Sequence, residues 1–259
     1  MTVGIIIPTL NSERCFEACL ESISRQTFKD WEVVVVDSNS SDRTREIGAR
    51  YGSVIAQDCS TARARLIGAE ACNAEFILNV DSDQMLRPTT LERVIETGAP
   101  IVALGEDSIP SGILGRINAL DKRITGRNFS QNIDPVYGTI LPRFYERKRL
   151  LESLRKIPPE LIDIRPSYLE DALTFLGALK PTDRVAYVPN CILHHEMEST
   201  LDYFHKWKRY GTTAKAYRGT PYEFIISQRG VRRGTILDRI ACLPALALRS
   251  IPFALGYYS

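Results

Sequence analysis

Several signatures of common nucleotide and ester chemistry are missing from this 259-residue chain. No Gly-x-Gly-x-x-Gly follows a strand pattern, which argues against a dinucleotide-binding unit, and no Gly-x-x-x-x-Gly-Lys-[Ser/Thr] is present, which excludes a P-loop nucleotidase. The absence of Gly-x-Ser-x-Gly counts against an α/β-hydrolase. The six cysteines (Cys15, Cys19, Cys59, Cys72, Cys191, Cys242) form no Cys-x-x-Cys pair and no dense framework. They read as reduced thiols of a cytosolic protein, most of them small core hydrophobes rather than zinc ligands. No run of ~18 apolar residues occurs, so a transmembrane helix is not expected. Met1–Leu10 passes straight into an apolar strand without a basic leader or a small-residue cleavage site, so no secretory signal is expected.

What is present is the mixture of a globular chain, 44% hydrophobic and 25% charged. Disorder, collagen and coiled coil are excluded on that composition, and the length suits one compact domain with an appendage. The net charge of +2 is unevenly spread: His205–Ser259 carries ten Lys/Arg against two acids, a local +8, which leaves −6 on the first 204 residues. Such a basic tail fits nucleic acid, an anionic membrane surface or a solvated face.

Val3–Ile7, Glu32–Val36, Ser53–Ala56, Glu75–Val80 and Pro100–Leu104 read as β-branched, almost continuously apolar strands, the pattern of parallel strands buried on both faces. Between them Ser12–Gln26 places Cys15, Phe16, Cys19, Leu20 and Ile23 on one helical stripe, and Ser41–Tyr51 and Thr61–Cys72 fill the next gaps as helices. A further helix opens after Pro88, where Thr89 and Glu92 have capping-box spacing. This alternation predicts an α/β fold with an open, doubly wound, mostly parallel sheet. From Ser108 to Arg165 the periodicity weakens, and Arg143–Leu154 is the one convincing helix there. Ser167–Leu179 then reads as a helix, Arg184–Val188 as a strand and Leu201–Arg218 as an amphipathic helix. Leu237–Tyr258 is apolar but interrupted by Pro244, Arg249 and Pro252, which suits an interface more than a span. The expected division is a catalytic domain over 1–200 and a basic, amphipathic helical region over 201–259.

In such sheets ligands bind where strands end. Asp81-Ser82-Asp83 follows a buried strand and sets two carboxylates where they can converge on one hard cation, which would neutralise a diphosphate; an acidic turn capping the next helix gives the same tripeptide. Asp37 and its Ser/Asn/Asp-rich loop can accept hydrogen bonds from a base or ribose, or form a plain strand-to-helix turn. Glu170-Asp171 opens a helix, where the macrodipole favours acids, yet one of the two can face a cleft as a general base. His194-His195 closes a strand, and either can complete a metal shell or sit as a structural histidine. Arg63 and Arg65 precede the acidic turn, where they can reach phosphates or lie solvated on a helix.

In order, these segments resemble glycosyltransferase family 2, the inverting GT-A-fold enzymes that use nucleotide-sugar donors. Val3–Asn11 is similar to that family's opening strand and P-x-x-N turn; Thr27–Ser38 with Ser41-Asp42 is similar to its Q-T…E-hydrophobic-D-D-G-S-x-D segment. Ala64-Arg65 with Gly68 parallels A-R-N-x-G, Asp81-Ser82-Asp83 its metal-binding D-x-D, and Glu170-Asp171 its E-D pair, so that the match runs over Thr2–His195. The chain departs where Ser38 replaces the second acid, Asn39 the loop glycine and Leu66 the asparagine of A-R-N. His194–Gly211, with Tyr203, Trp207, Lys208, Arg209 and Tyr210, is similar to the acceptor side of membrane-bound members.

The resemblance implies that base and ribose lie against Pro8, Thr9, Asn11 and Asp37, with Arg65 and Asp81 towards the phosphates. Mg²⁺ or Mn²⁺ is implied on Asp83 and Asp81, with His194 or His195, and Asp171 as the base for an acceptor hydroxyl. Glu170, Trp207, Lys208 and Arg209 are implied on the acceptor and membrane side. The expected donor is a nucleoside diphosphate sugar of the GDP-mannose or UDP-glucose type. The expected acceptor is a hydroxyl of a lipid-linked sugar or glycan at the cytoplasmic face of a membrane, reached by a peripheral chain or one anchored by a segment outside it. A polyprenyl-phosphate acceptor is second, a soluble glycan third, and nucleic acid is not expected. A haloacid-dehalogenase phosphatase would want Thr or Val where Met85 stands, and a sugar nucleotidylyltransferase would need a glycine-rich basic loop that the N-terminus lacks.

Overall fold

A computed structural model describes residues 1–109, 112–129, 142–167, 169–183, 185–195, 199–228 and 234–259. The first half alternates β1 (Val3–Thr9), α1 (Glu13–Ser24), β2 (Trp31–Asp37), α2 (Thr44–Ala49), β3 (Ser53–Ala56), α3 (Thr61–Ala71) and β4 (Phe76–Asn79). Side chains alternate across a strand, and here they feed two separate cores. Ile6, Val34 and Val36 face α3. Val3, Ile5, Ile7, Val33 and Val35 face Phe16, Cys19, Leu20 and Ile23 of α1. Both faces of β1 and β2 are thus covered, which is why their sequences show no polar alternation. Gly68 brings α3 onto β1: a Cβ there would lie 2.4 Å from Cγ2 of Ile6.

Then follow β5 (Gln84–Leu86), α4 (Thr90–Glu96), β6 (Ile101–Ile109), α5 (Gly112–Phe129), β7 (Pro142–Glu146), α6 (Arg147–Lys156), α7 (Pro159–Ile162), α8 (Glu170–Ala178), β8 (Val185–His195), α9 (Thr200–Ala214), α10 (Glu223–Gln228) and α11 (Ile236–Tyr258). The eight strands are ordered β3-β2-β1-β4-β7-β6-β8-β5. β1 pairs in parallel with β2 and β4, so Thr9 stands opposite Asp37 and Ile6 opposite Asn79. That register brings the turns after β1, β2 and β4 to one edge of the sheet. β7 is antiparallel to both β4 and β6, and β5 is antiparallel to β8.

The second half departs from the sequence reading. Gly112–Phe129 is a helix within the stretch of weak periodicity, and Arg143 lies in a strand, with the following helix starting only at Arg147. β8 runs on to His195, well past Val188. Thr89 makes no side-chain cap; Glu92 instead accepts a bond from Thr27 Oγ1 at 2.9 Å. Pro244 and Pro252 do not break α11, whose 23 residues form one helix long and apolar enough to cross a membrane by length and composition.

α11 turns Cys242, Ala245, Arg249, Pro252 and Gly256 inward, at helical spacing. Arg249 is buried but fully engaged: Nη1 donates to Asp121 at 2.7 Å, Nη2 to Asn118 Oδ1 at 2.8 Å and Nε to the Tyr203 hydroxyl at 2.8 Å. A buried cation with this much compensation is tolerated, and removing its partner would not be. Gly211 and Gly256 let α9 and α11 touch backbone to backbone, since a Cβ on either would lie 2.0 Å from a carbonyl oxygen of the other helix. Gly256→Ala should therefore cost about 1–3 kcal/mol through overpacking, seen as a lower denaturation midpoint. Leu255→Ala, at an exposed position, should leave that midpoint unchanged.

Candidate functional site

The strand-end turns converge on a cluster of acids and arginines. β4 ends at Asn79, and Asp81-Ser82-Asp83 leads into β5, whose Gln84 pairs with His194 of β8. The His195 amide donates to the Asp83 carbonyl at 3.0 Å, which pins the two segments together. Neighbouring residues of a strand point to opposite faces, and only His194 turns to the acid, with Nε2 3.4 Å from Asp83 Oδ2. The His195 side chain is exposed.

Asp81 is held from both sides. Its Oδ1 accepts from Arg65 Nη2 at 3.0 Å and its Oδ2 from Arg143 Nη2 at 2.9 Å. Arg65, only 2% exposed, also donates through Nη1 to Oδ1 of Asp171 at the start of α8. Arg143 Nε donates to Glu106 Oε1 at 3.0 Å, and Lys122 Nζ of α5 lies 3.5 Å from Glu106 Oε2. Gln84 closes the cluster, donating to Glu106 at 3.3 Å and accepting from the Asp81 amide at 3.1 Å. Burial opposes the charged form of Asp81, but Arg143 and Arg65, with His194, hold its carboxyl well below the usual carboxylate range. Asp83 is likewise lowered against burial, chiefly by His194.

The expected nucleotide residues frame the same edge. Asp37 is fully buried, its carboxylate accepting from Thr9 Oγ1 at 2.8 Å, the Ser40 amide at 2.9 Å and the Ser40 hydroxyl at 2.5 Å. It organises the two loops instead of presenting itself to a ligand. Asn11 and Asn39 both have left-handed backbone, φ +49° and +58°, a conformation Asn and Gly adopt most readily. That is how Asn39 replaces a glycine there. Asn11 Oδ1 accepts the Ser41 amide at 2.9 Å, and Ser12 and Ser82 hydroxyls meet at 2.8 Å, tying the β1 turn to the acidic turn. Pro8 is half-buried beside them.

Two expectations are revised. Arg65 lies between carboxylates rather than reaching outward, and Arg63 pairs with Asp163 at 2.7 Å. On α9, Lys208 and Arg209 line an outer groove of about 550 Å³ with Asp202 and Thr212, and Trp207 lies 5.7 Å under the Arg249 guanidinium. From α9, the Lys206 charge bears on Asp83, and the Tyr210 phenol is raised by burial, with the charges of Glu170, Asp81 and Asp171 adding to the shift. Arg143, Glu106, Gln84 and Lys206 were not singled out from the sequence. Tyr168 lies outside the described residues.

Among the described residues no group of three acid, histidine or cysteine side chains gathers as a metal shell. Asp83 Oδ1 is nonetheless buried without a hydrogen-bond partner, and it shares its carboxylate with an imidazole. One carboxylate with one imidazole fits Mg²⁺ or Mn²⁺ that takes its remaining ligands from phosphate oxygens and water.

Residues 4–98 match the family described as Glycosyl transferase family 2. The putative glycosyltransferase EpsH of Bacillus subtilis is 31% identical over 102 residues, covering 37% of this chain and 30% of EpsH. The poly(ribitol-phosphate) β-N-acetylglucosaminyltransferase TarS of Staphylococcus aureus is 32% identical over 102 residues, 36% of this chain and 18% of TarS. The chain therefore spans less than a third of either relative. Among solved structures, the mannosyltransferase PcManGT of Pyrobaculum calidifontis, in complex with GDP-Man and Mn²⁺, superposes with TM-score 0.59 at 18% identity, covering 98% of this chain and 72% of that one. TarS 1–349 in complex with UDP-GlcNAc gives 0.56 at 17% identity, covering 98% and 84%. At these identities the structural likeness establishes the fold.

Glu170 stands beside Asp171 with a different charge state. Burial first, then the Asp171 charge, pushes its carboxyl up to about 7, against about 4.3 in an unfolded chain. A value raised by folding gives stability that is complete below the unfolded value and is lost as pH rises through the folded one. Melting temperature should therefore fall between pH 5 and 7 more steeply in the wild type than in Glu170→Gln. Parallel curves would mean that Glu170 ionises normally.

Proposed function

We propose, for a chain that belongs to glycosyltransferase family 2 and has the GT-A fold, that it transfers a hexose from a nucleoside diphosphate sugar to an acceptor hydroxyl with inversion. The observation that carries this reading is the meeting of Asp83, His194, Asp81, Arg65 and Asp171 at the strand-end edge. GDP-mannose and UDP-glucose are the favoured donors, and the GDP-Man and UDP-GlcNAc held by the two structural neighbours support a donor of this class. Base and ribose lie against Pro8, Thr9, Asn11 and the loop that Asp37 braces. Asp83 and His194 would hold Mg²⁺ or Mn²⁺, which when bound supplies positive charge to the leaving diphosphate. Lys206 adds a protein cation on the same side.

Asp171 takes the proton from the acceptor hydroxyl. Its Oδ1 is committed to Arg65, which fixes the carboxylate while the group stays one-quarter exposed to the cleft. A single displacement with a positioned base leads to inversion and needs no covalent intermediate. Asp171→Asn should keep donor binding and lower transfer by about 10²–10⁴-fold, the usual worth of general-base catalysis. Undiminished turnover would move the base elsewhere. Thermal shifts with GDP, UDP, TDP and CMP, each with and without Mn²⁺, test the donor class: a ligand at 100 times its Kd adds about 2.7 kcal/mol.

The acceptor we favour is a hydroxyl of a lipid-linked sugar, with α9 to α11 as the membrane-facing region. α11 turns Ile236, Leu237, Ile240, Leu243, Ile251 and Leu255 outward, a row about 29 Å long at 1.5 Å per residue. Its other face is occupied by α9 and α5, which favours lying in the interface over crossing. Arg229, Arg232 and Arg233, part of the basic tail, lie outside the described residues. Ile240→Asp with Ile251→Asp should abolish sedimentation with anionic liposomes, and unchanged sedimentation would refute the membrane role.

A further inference from the structure

We propose that Arg143 is a positioning residue, and that Asp81, held between Arg143 and Arg65, acts as the hub that orients Asp171 rather than as a cation ligand. The inference rests on the functional reading above for the role of Asp171. Each Asp81 oxygen is occupied by a different guanidinium, at 3.0 and 2.9 Å. A carboxylate gripped at both oxygens cannot rotate about its own bond. Among the described residues Arg65 in turn is supported only by acids: Nη2 is on Asp81, Nη1 on Asp171, and the buried Nε has no hydrogen-bond partner there. The plane of Arg65, and with it the Asp171 carboxylate, is therefore set by where Asp81 sits.

Arg143 has the same dependence on the opposite side. Its Nη2 holds Asp81, its Nε holds Glu106, and its buried Nη1 has no hydrogen-bond partner among the described residues. Glu106 is anchored from α5 by Lys122 at 3.5 Å, and Gln84, which also accepts from the Asp81 amide, donates to it at 3.3 Å. Arg143 thus transmits the fixed position of β6 and α5 to the turn after β4, and from there through Arg65 to α8. Asp83 is outside this chain of contacts. Its Oδ1 has no hydrogen-bond partner among the described residues and its Oδ2 faces His194, so the cation and the hub use different carboxylates. Charge-assisted bonds of this kind are the strong ones, and bonds from two arginines fix geometry as well as charge.

The test compares Arg143→Met, Arg143→Lys and Glu106→Gln with the wild type. Binding of GDP and UDP with Mn²⁺ is measured by calorimetry, and turnover by release of nucleoside diphosphate from GDP-mannose and UDP-glucose. Arg143→Met should leave the Mn²⁺-dependent nucleotide Kd and the donor KM within twofold and lower kcat about 100-fold, the scale expected when a reacting group is misplaced by about 1 Å. Arg143→Lys should recover at least tenfold of that loss, and Glu106→Gln, which keeps volume and a hydrogen bond, should fall between Arg143→Met and the wild type. Should Arg143→Met fail to fold, Glu106→Gln alone carries the test, with a kcat loss at constant KM. Loss of Mn²⁺-dependent affinity in step with kcat would make Asp81 a cation ligand and overturn the proposal, as would an unchanged kcat in both variants. Failure of the wild type to bind either nucleotide with Mn²⁺ would instead overturn the functional reading, and this inference with it.

Discussion

The buried guanidinium of Arg65 is the contact on which the cleft depends. It joins the turn after β4 to the start of α8, elements separated by 90 residues in sequence between Asp81 and Asp171. A buried arginine is costly unless its charge is met, and here two carboxylates meet it. The arrangement also works in reverse: acids crowded near a diphosphate site repel one another, and Arg65 and Arg143 offset that repulsion from beneath. Glu170 meets the same crowding differently: burial and the Asp171 charge raise its carboxyl, which favours the protonated form.

Three glycines and two asparagines allow the close approaches and tight turns of the fold. Gly68 lets α3 approach β1 closely enough for Arg65, one turn earlier, to reach under the strand edge. Asn11 and Asn39 turn the chain through left-handed backbone at the ends of β1 and β2, so that Asp37 can be sealed inside while its loop stays at the surface. At the other end, Gly211 and Gly256 join α9 to α11, and α9 carries Lys206 and Tyr210 to the acids. The apolar outer row of α11 is thereby fixed relative to α9 and α5, through Trp207 and the Arg249 cluster.

The first half of the fold was legible because its strands are buried on both faces and therefore continuously apolar, as in Val33–Val36. The strand ends were legible for the same reason: Asp37, Asp81 and Asp83 stand out where an apolar run stops. Beyond Ser108 local pattern loses its power. α5 mixes Arg116, Asn118, Asp121 and Lys122 with its apolar residues, because part of its buried face is polar and satisfied by Arg249 and Glu106. β7 has only five residues, and its place between β4 and β6 is decided by long-range antiparallel pairing. Arg143 could not be recognised as part of the site until that pairing was known. On α9, Lys208 and Arg209 line a groove with Asp202 and Thr212, whereas Lys206 is the α9 cation that bears on Asp83.

The most direct measurement is an anomalous difference map from crystals of the protein grown with Mn²⁺ and GDP or UDP. The account predicts a single strong peak bonded to Asp83 and His194, with the nucleotide diphosphate on its open side and Asp81 still held by Arg65 and Arg143. A peak chelated by Asp81 with its arginines displaced, or a nucleotide bound away from the strand-end edge, would contradict it.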